Sequence, residues 1–93
     1  MLSASPINLD KFPEKECDKE ILRLGMIAEL DAVNLYEQLV EKTKSNKIKA
    51  ALLDIAKEEK THMGEFQALL LELDKEQVEE LKKGKKEVDD LSK

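Results

Sequence analysis

The sequence predicts an all-α fold: an antiparallel two-helix hairpin followed by a short C-terminal helix, the hairpin dimerising into a four-helix bundle. Three observations point there. Charged residues make up 40% and hydrophobic residues 41% of the 93-residue chain, proportions typical of a helical bundle rich in Glu, Lys, Leu and Ala. Three glycines and two prolines are too few for a turn-rich β fold. Apolar residues recur every three or four positions along two long stretches, and a short polar break separates them.

Each element follows from local signals. Residues 1–12 are aperiodic, with Pro6 and Asn8, and read as an N-terminal arm. Pro13 suits a first helical position, and Glu14 and Glu16 suit the positive end of the helix dipole. The first helix then runs to about Thr43 on Leu22, Met26, Val33, Tyr36 and Val40, ~30 residues or ~45 Å. Gly25 interrupts it, at roughly 1 kcal/mol relative to Ala; close approach of a neighbouring helix would account for it. Lys44 to Lys47 form the break, where Ser45 or Asn46 can cap the second helix. That helix reaches about Leu73 on Ile48, Leu52, Ile55, Phe66, Leu69 and Leu70, with Gly64 a second mark of close packing. A break this short makes an antiparallel hairpin. Asp74 followed by Gln77 resembles a capping box and starts a third helix. Gly84 is expected to end or kink it, leaving a charged tail over 84–93.

Composition narrows the function. Residues 1–93 form one domain, too small to bury more than ~60–65% of its unfolded surface. Cys17 is the lone cysteine and reads as an inert thiol, so oligomerisation or a metal must supply what a disulfide would. The net charge of −5 argues against nucleic acid as a partner. No stretch approaches the ~18–20 apolar residues of a membrane span. The N-terminus shows no leader pattern, so a cytoplasmic location is expected.

Two oddities carry the chemistry. Glu59 and His62 share a helix face with Leu52, Ile55, Phe66 and Leu69. On the first helix Glu29 falls on the core stripe, because Leu22, Met26, Glu29, Val33, Tyr36 and Val40 step by four and three. A buried, unpaired carboxylate is costly, so something must compensate it. Glu29 and Glu59 lie nearly equally far from the turn, so a hairpin brings them to one height. Carboxylate and imidazole are ligands that iron or zinc accepts. Three donors are also half of a dinuclear set built from one Glu on each of two helices and Glu-x-x-His on each of two others. A two-fold dimer would complete that set around two metals.

The segments Ala28 to Leu39 (AELDAVNLYEQL) and Glu58 to Phe66 (EEKTHMGEF) resemble those of the encapsulated ferritins, half-ferritins packaged inside encapsulin shells. The likeness spans roughly Glu20 to Glu87. It implies a ferritin-like four-helix bundle and ferroxidase activity, with Fe(II) oxidised to Fe(III) by O2 at a di-iron centre between two subunits, for iron storage. It further implies dimers that assemble into a ring-like decamer, inside an encapsulin nanocompartment. Glu29, Glu59 and His62 match the iron ligands; zinc, manganese or calcium can take iron's place. Tyr36 matches a tyrosine beside the centre, although its spacing also suits a core residue with a satisfied hydroxyl. Asp31 matches an acidic residue of a secondary metal site on the approach to the centre. Leu35 stands where some members have tryptophan. The alternatives are a metal-stapled structural dimer and a shell-docking module without redox activity. Glu59 is expected to bridge the two metals, His62 to bind terminally, and Glu29 to complete each ion from the facing helix.

Overall fold

The computed structural model describes residue 10 and residues 14–92. The expected N-terminal arm, Asp10 apart, and the placement of Pro13 lie outside them. Three helices are present among the described residues: α1, Glu14–Val40; α2, Asn46–Leu73; and α3, Lys75–Leu91. The all-α architecture is as predicted, and α1 and α2 form the hairpin.

The first helix ends three residues before the expected Thr43. Glu41 N–H donates to the Gln38 carbonyl at 3.2 Å and Lys42 N–H to the Leu39 carbonyl at 3.0 Å. These bonds to the third residue back tighten the chain out of the α-helical path. Ser45 then opens α2: its Oγ accepts from Ile48 N–H at 3.2 Å, and its own N–H donates to Thr43 Oγ1 at 3.2 Å. One of the free donors at the helix start is thereby satisfied.

Asp74 separates α2 from α3. Its φ of −129° and ψ of 88° break the helix, and Oδ1 accepts from Gln77 N–H at 2.9 Å. The Arg23 guanidinium reaches it from α1, with Nη2 3.0 Å from Asp74 Oδ2 and Nη1 3.2 Å from Glu20 Oε1. This clamp ties the start of α3 to the hairpin. Beyond it α3 projects, which gives the molecule two long dimensions in its 46 × 44 × 22 Å extent.

Two glycine expectations need correction. The third helix runs through Gly84 to Leu91. Glycine costs about 1 kcal/mol in a helix interior, but no second helix breaker follows it. Lys85–Asp89 at 2.7 Å and Lys86–Asp90 at 2.9 Å add one-turn ion pairs beyond it, each worth roughly 0.2–0.5 kcal/mol. Gly64 has open space where a Cβ would sit, so no close approach within this chain requires it.

The core is thin. Ala32, Val33, Ala56 and Leu70 are its buried apolar residues, while Ile21, Ile27, Leu30, Ile48, Leu69 and Leu73 stay about half exposed. All of the latter but Ile48 flank two separate grooves. Ile21, Leu22, Leu69 and Leu73 line one of about 260 Å³. Met26, Ile27, Leu30, Leu71 and Leu81 line another of about 360 Å³, beside the root of α3. A two-helix hairpin has no third layer to cover both flanks. Among the described residues, no helix is long and apolar enough to cross a membrane.

Candidate metal centre

The antiparallel hairpin sets Glu29 of α1 opposite Glu59 and His62 of α2. Each offers one ligand atom, and the three atoms lie within 4.8 Å of one another. The His62 Nδ1 is 3.6 Å from Glu29 Oε2 and 3.6 Å from Glu59 Oε2. Both distances exceed a hydrogen bond. They approach the spacing of donors gathered around an ion: ligands ~2.1 Å from one metal and 90–110° apart sit roughly 3.0–3.5 Å from each other.

Burial is uneven across the three. The Glu29 and Glu59 side chains are 18% and 20% exposed, whereas His62 is 46% exposed. Glu29 Oε2 is buried and accepts no hydrogen bond among the described residues. A buried carboxylate oxygen without a donor is costly, and a cation is the partner such a group lacks. Two carboxylates with one imidazole suit iron, zinc or manganese. The residues present therefore fit a metal ion.

The remaining candidates sit elsewhere. Asp31 is half-buried on α1 and is not part of the three-residue cluster. Tyr36 is half-buried, two turns beyond Glu29. Cys17 is a half-buried free thiol near the start of α1. Glu58, beside Glu59, is exposed.

One contact near the cluster was only half legible in the sequence. Gly25 marks a close helix approach, and the group that approaches is the Phe66 ring. A Cβ built on Gly25 would meet Phe66 Cε1 at 2.9 Å. The glycine was the visible signal; its partner, read as a plain core residue, was not. The Arg23–Asp74 ion pair spans 51 residues and had no signal at all.

The sequence matches the rubrerythrin family over residues 20–92. It is 56% identical to the ferritin-like–encapsulin shell fusion protein of Pyrococcus furiosus, over 99% of this chain and 27% of that protein. The chain thus spans about a quarter of the length of that relative. Among solved structures it resembles the crystal structure of the encapsulated ferritin domain from Pyrococcus furiosus, at 54% identity and a TM-score of 0.83, covering 98% of this chain and 93% of that one.

Proposed function

The chain belongs to the rubrerythrin family and, within it, to the encapsulated ferritins, and from that premise we propose that it is a ferroxidase, oxidising Fe(II) with O2 at a centre shared by two copies. One observation carries the proposal: Glu29, Glu59 and His62 converge within 4.8 Å, with His62 on the open side of the hairpin.

Iron is the substrate. Two ferrous ions each give up one electron; O2 takes both, gains two protons, and leaves as hydrogen peroxide. Hard carboxylate oxygens favour the ferric product over the ferrous reactant, which assists the electron transfer. In this reading Glu59 bridges the two ions, His62 binds one terminally, and Glu29 reaches across from α1. Tyr36, on the same α1 face, is available to steady a ligand.

Three donors are half of the six residues that hold two ions in a ferritin-like dinuclear centre. The missing ones come from a second copy related by a two-fold axis through the site, giving the four-helix arrangement of ferritin-like centres. Uncovered apolar residues along α2 support this reading: Ile48, Leu69 and Leu73 are each about half exposed. Further association of dimers into a decameric ring, and residence inside an encapsulin compartment, rest on likeness to relatives named as an encapsulated ferritin and as a shell fusion.

Anaerobic Fe(II) titration followed by O2 tests the proposal. Two irons per dimer and an oxidation transient are expected, and Glu29→Ala, Glu59→Ala and His62→Ala should each abolish O2 uptake. Unchanged uptake in all three would refute it. The thin core favours one other reading, a metal staple that holds two hairpins together. Tight Zn(II) binding with no Fe(II)-dependent O2 uptake would select the staple. Particle mass with and without Fe(II) reports assembly; a shift to larger particles is expected.

A further inference from the structure

The contact between Gly25 and Phe66 lies one helical turn from the donors on both helices. Gly25 precedes Glu29 by four residues on α1, and Phe66 follows His62 by four on α2. The three ring atoms nearest to a Cβ on Gly25 would be Cε1 at 2.9 Å, Cδ1 at 3.0 Å and Cζ at 3.0 Å. Carbon atoms rest at ~3.5 Å or more, so the ring occupies the notch only because the Cβ is absent.

We propose that Gly25 and Phe66 are positioning residues: the ring seated in the glycine notch sets the α1–α2 separation at the level of the metal donors. The inference rests on the metal reading of Glu29, Glu59 and His62. Its physical basis is the shortness of the lever. One turn of helix is stiff, so a change in separation at Gly25 is passed to Glu29 almost undiminished. A methyl on Gly25 would demand roughly 0.6 Å of relief. Metal donors must be held within about 0.5 Å of their working geometry. The demanded movement therefore exceeds what the donors tolerate, while the helices themselves can absorb it.

A double-mutant cycle on Co(II) affinity, read from visible absorption, tests this. Gly25→Ala fills the notch, Phe66→Leu empties it, and the double variant restores the combined volume. Each single variant should bind Co(II) about tenfold more weakly, the low end for loss of ligand support. The double variant should recover most of that loss, with far-UV circular dichroism showing wild-type helix content throughout. Should Gly25→Ala fail to fold, the comparison of Phe66→Leu with the double variant decides. Singles that bind within about twofold of wild type, or a double variant no better than the worse single, would overturn the proposal. Glu29→Ala is the control: wild-type affinity in that variant would overturn the metal reading, and the inference with it.

Discussion

Replacing Glu29 with Gln should make the metal-free protein more stable and the metal-loaded protein less so. The Glu29 and Glu59 ligand oxygens lie no more than 4.8 Å apart. Two like charges at that distance repel by about 1 kcal/mol in a water-like medium and about 3 kcal/mol at an effective dielectric of 20. Both side chains are about one-fifth exposed, which places the true value between those limits. Glutamine keeps the volume and removes the charge. The metal-free variant should therefore gain roughly 1–3 kcal/mol, and each kcal/mol raises the melting temperature by about 4–8 °C in a domain this small. With a divalent ion at a thousandfold its Kd, the wild type gains about 4 kcal/mol by mass action, and the variant gains little. The order of the two melts should then reverse. The assay is thermal melting by circular dichroism in EDTA and in Co(II), at one fixed pH. Equal protein concentrations remove any difference from association. A variant no more stable than wild type in EDTA would refute the repulsion. An order of melts that ignores Co(II) would refute the site.

Three further outcomes are expected. Ser45→Ala removes the α2 cap and should cost about 1 kcal/mol in denaturant unfolding, with Ser45→Gly milder; no loss would mean the cap contributes nothing. Leu70, 3% exposed, should cost about 2–5 kcal/mol on truncation to Ala, whereas Leu91, 84% exposed, should change the stability of a single chain by no more than about 0.5 kcal/mol. Acid should loosen α3 first. The Gln77 backbone N–H, helped by the Arg23 guanidinium and the Lys19 charge, holds the Asp74 carboxyl below its ordinary value; desolvation, second in size to the Gln77 bond, opposes them. A depressed folded pKa contributes stability above the unfolded value of about 3.9 and loses it as pH falls through the folded one. Amide exchange at Gln77 should therefore accelerate below about pH 4 before exchange in α1 and α2, and an Asp74→Asn variant with the wild-type acid profile would contradict this.

The parts of the fold that were legible are those set by nearby residues. Ser45 and Asp74 announced their helices because a cap acts over three residues, and both caps are formed. The hairpin followed from a short polar break between two long periodic stretches. What misled was reading Gly64 as a second close approach and Gly84 as a helix end. Gly25 does admit a close neighbour, whereas Gly64 and Gly84 meet nothing within 4 Å in this chain. The sequence pattern of a glycine in a helix is the same in all three cases; only the facing element distinguishes them. The same limit hid the clamp from Arg23 to Asp74, which joins groups brought together by the turn between α2 and α3.

The three candidate donors were conspicuous for a different reason. On α2, Ile48, Leu52, Ile55, Glu59, His62, Phe66, Leu69 and Leu73 alternate steps of four and three, the spacing of a helix that packs along one seam. Two polar residues in the middle of such a seam are conspicuous wherever the seam faces. Its burial is uneven. Leu52, Ile55, Glu59 and Phe66 are half-buried, whereas Ile48, His62, Leu69 and Leu73 are exposed. Glu59 therefore sits within the hairpin's own packing, and His62 stands where that packing stops. A site meant to close inside one hairpin would carry its imidazole among the half-buried positions. An exposed imidazole, on a seam that also leaves Ile48, Leu69 and Leu73 exposed, suits a second copy that would bury them and supply the missing donors. The exposure of His62 is thus an argument for the shared centre rather than against a metal.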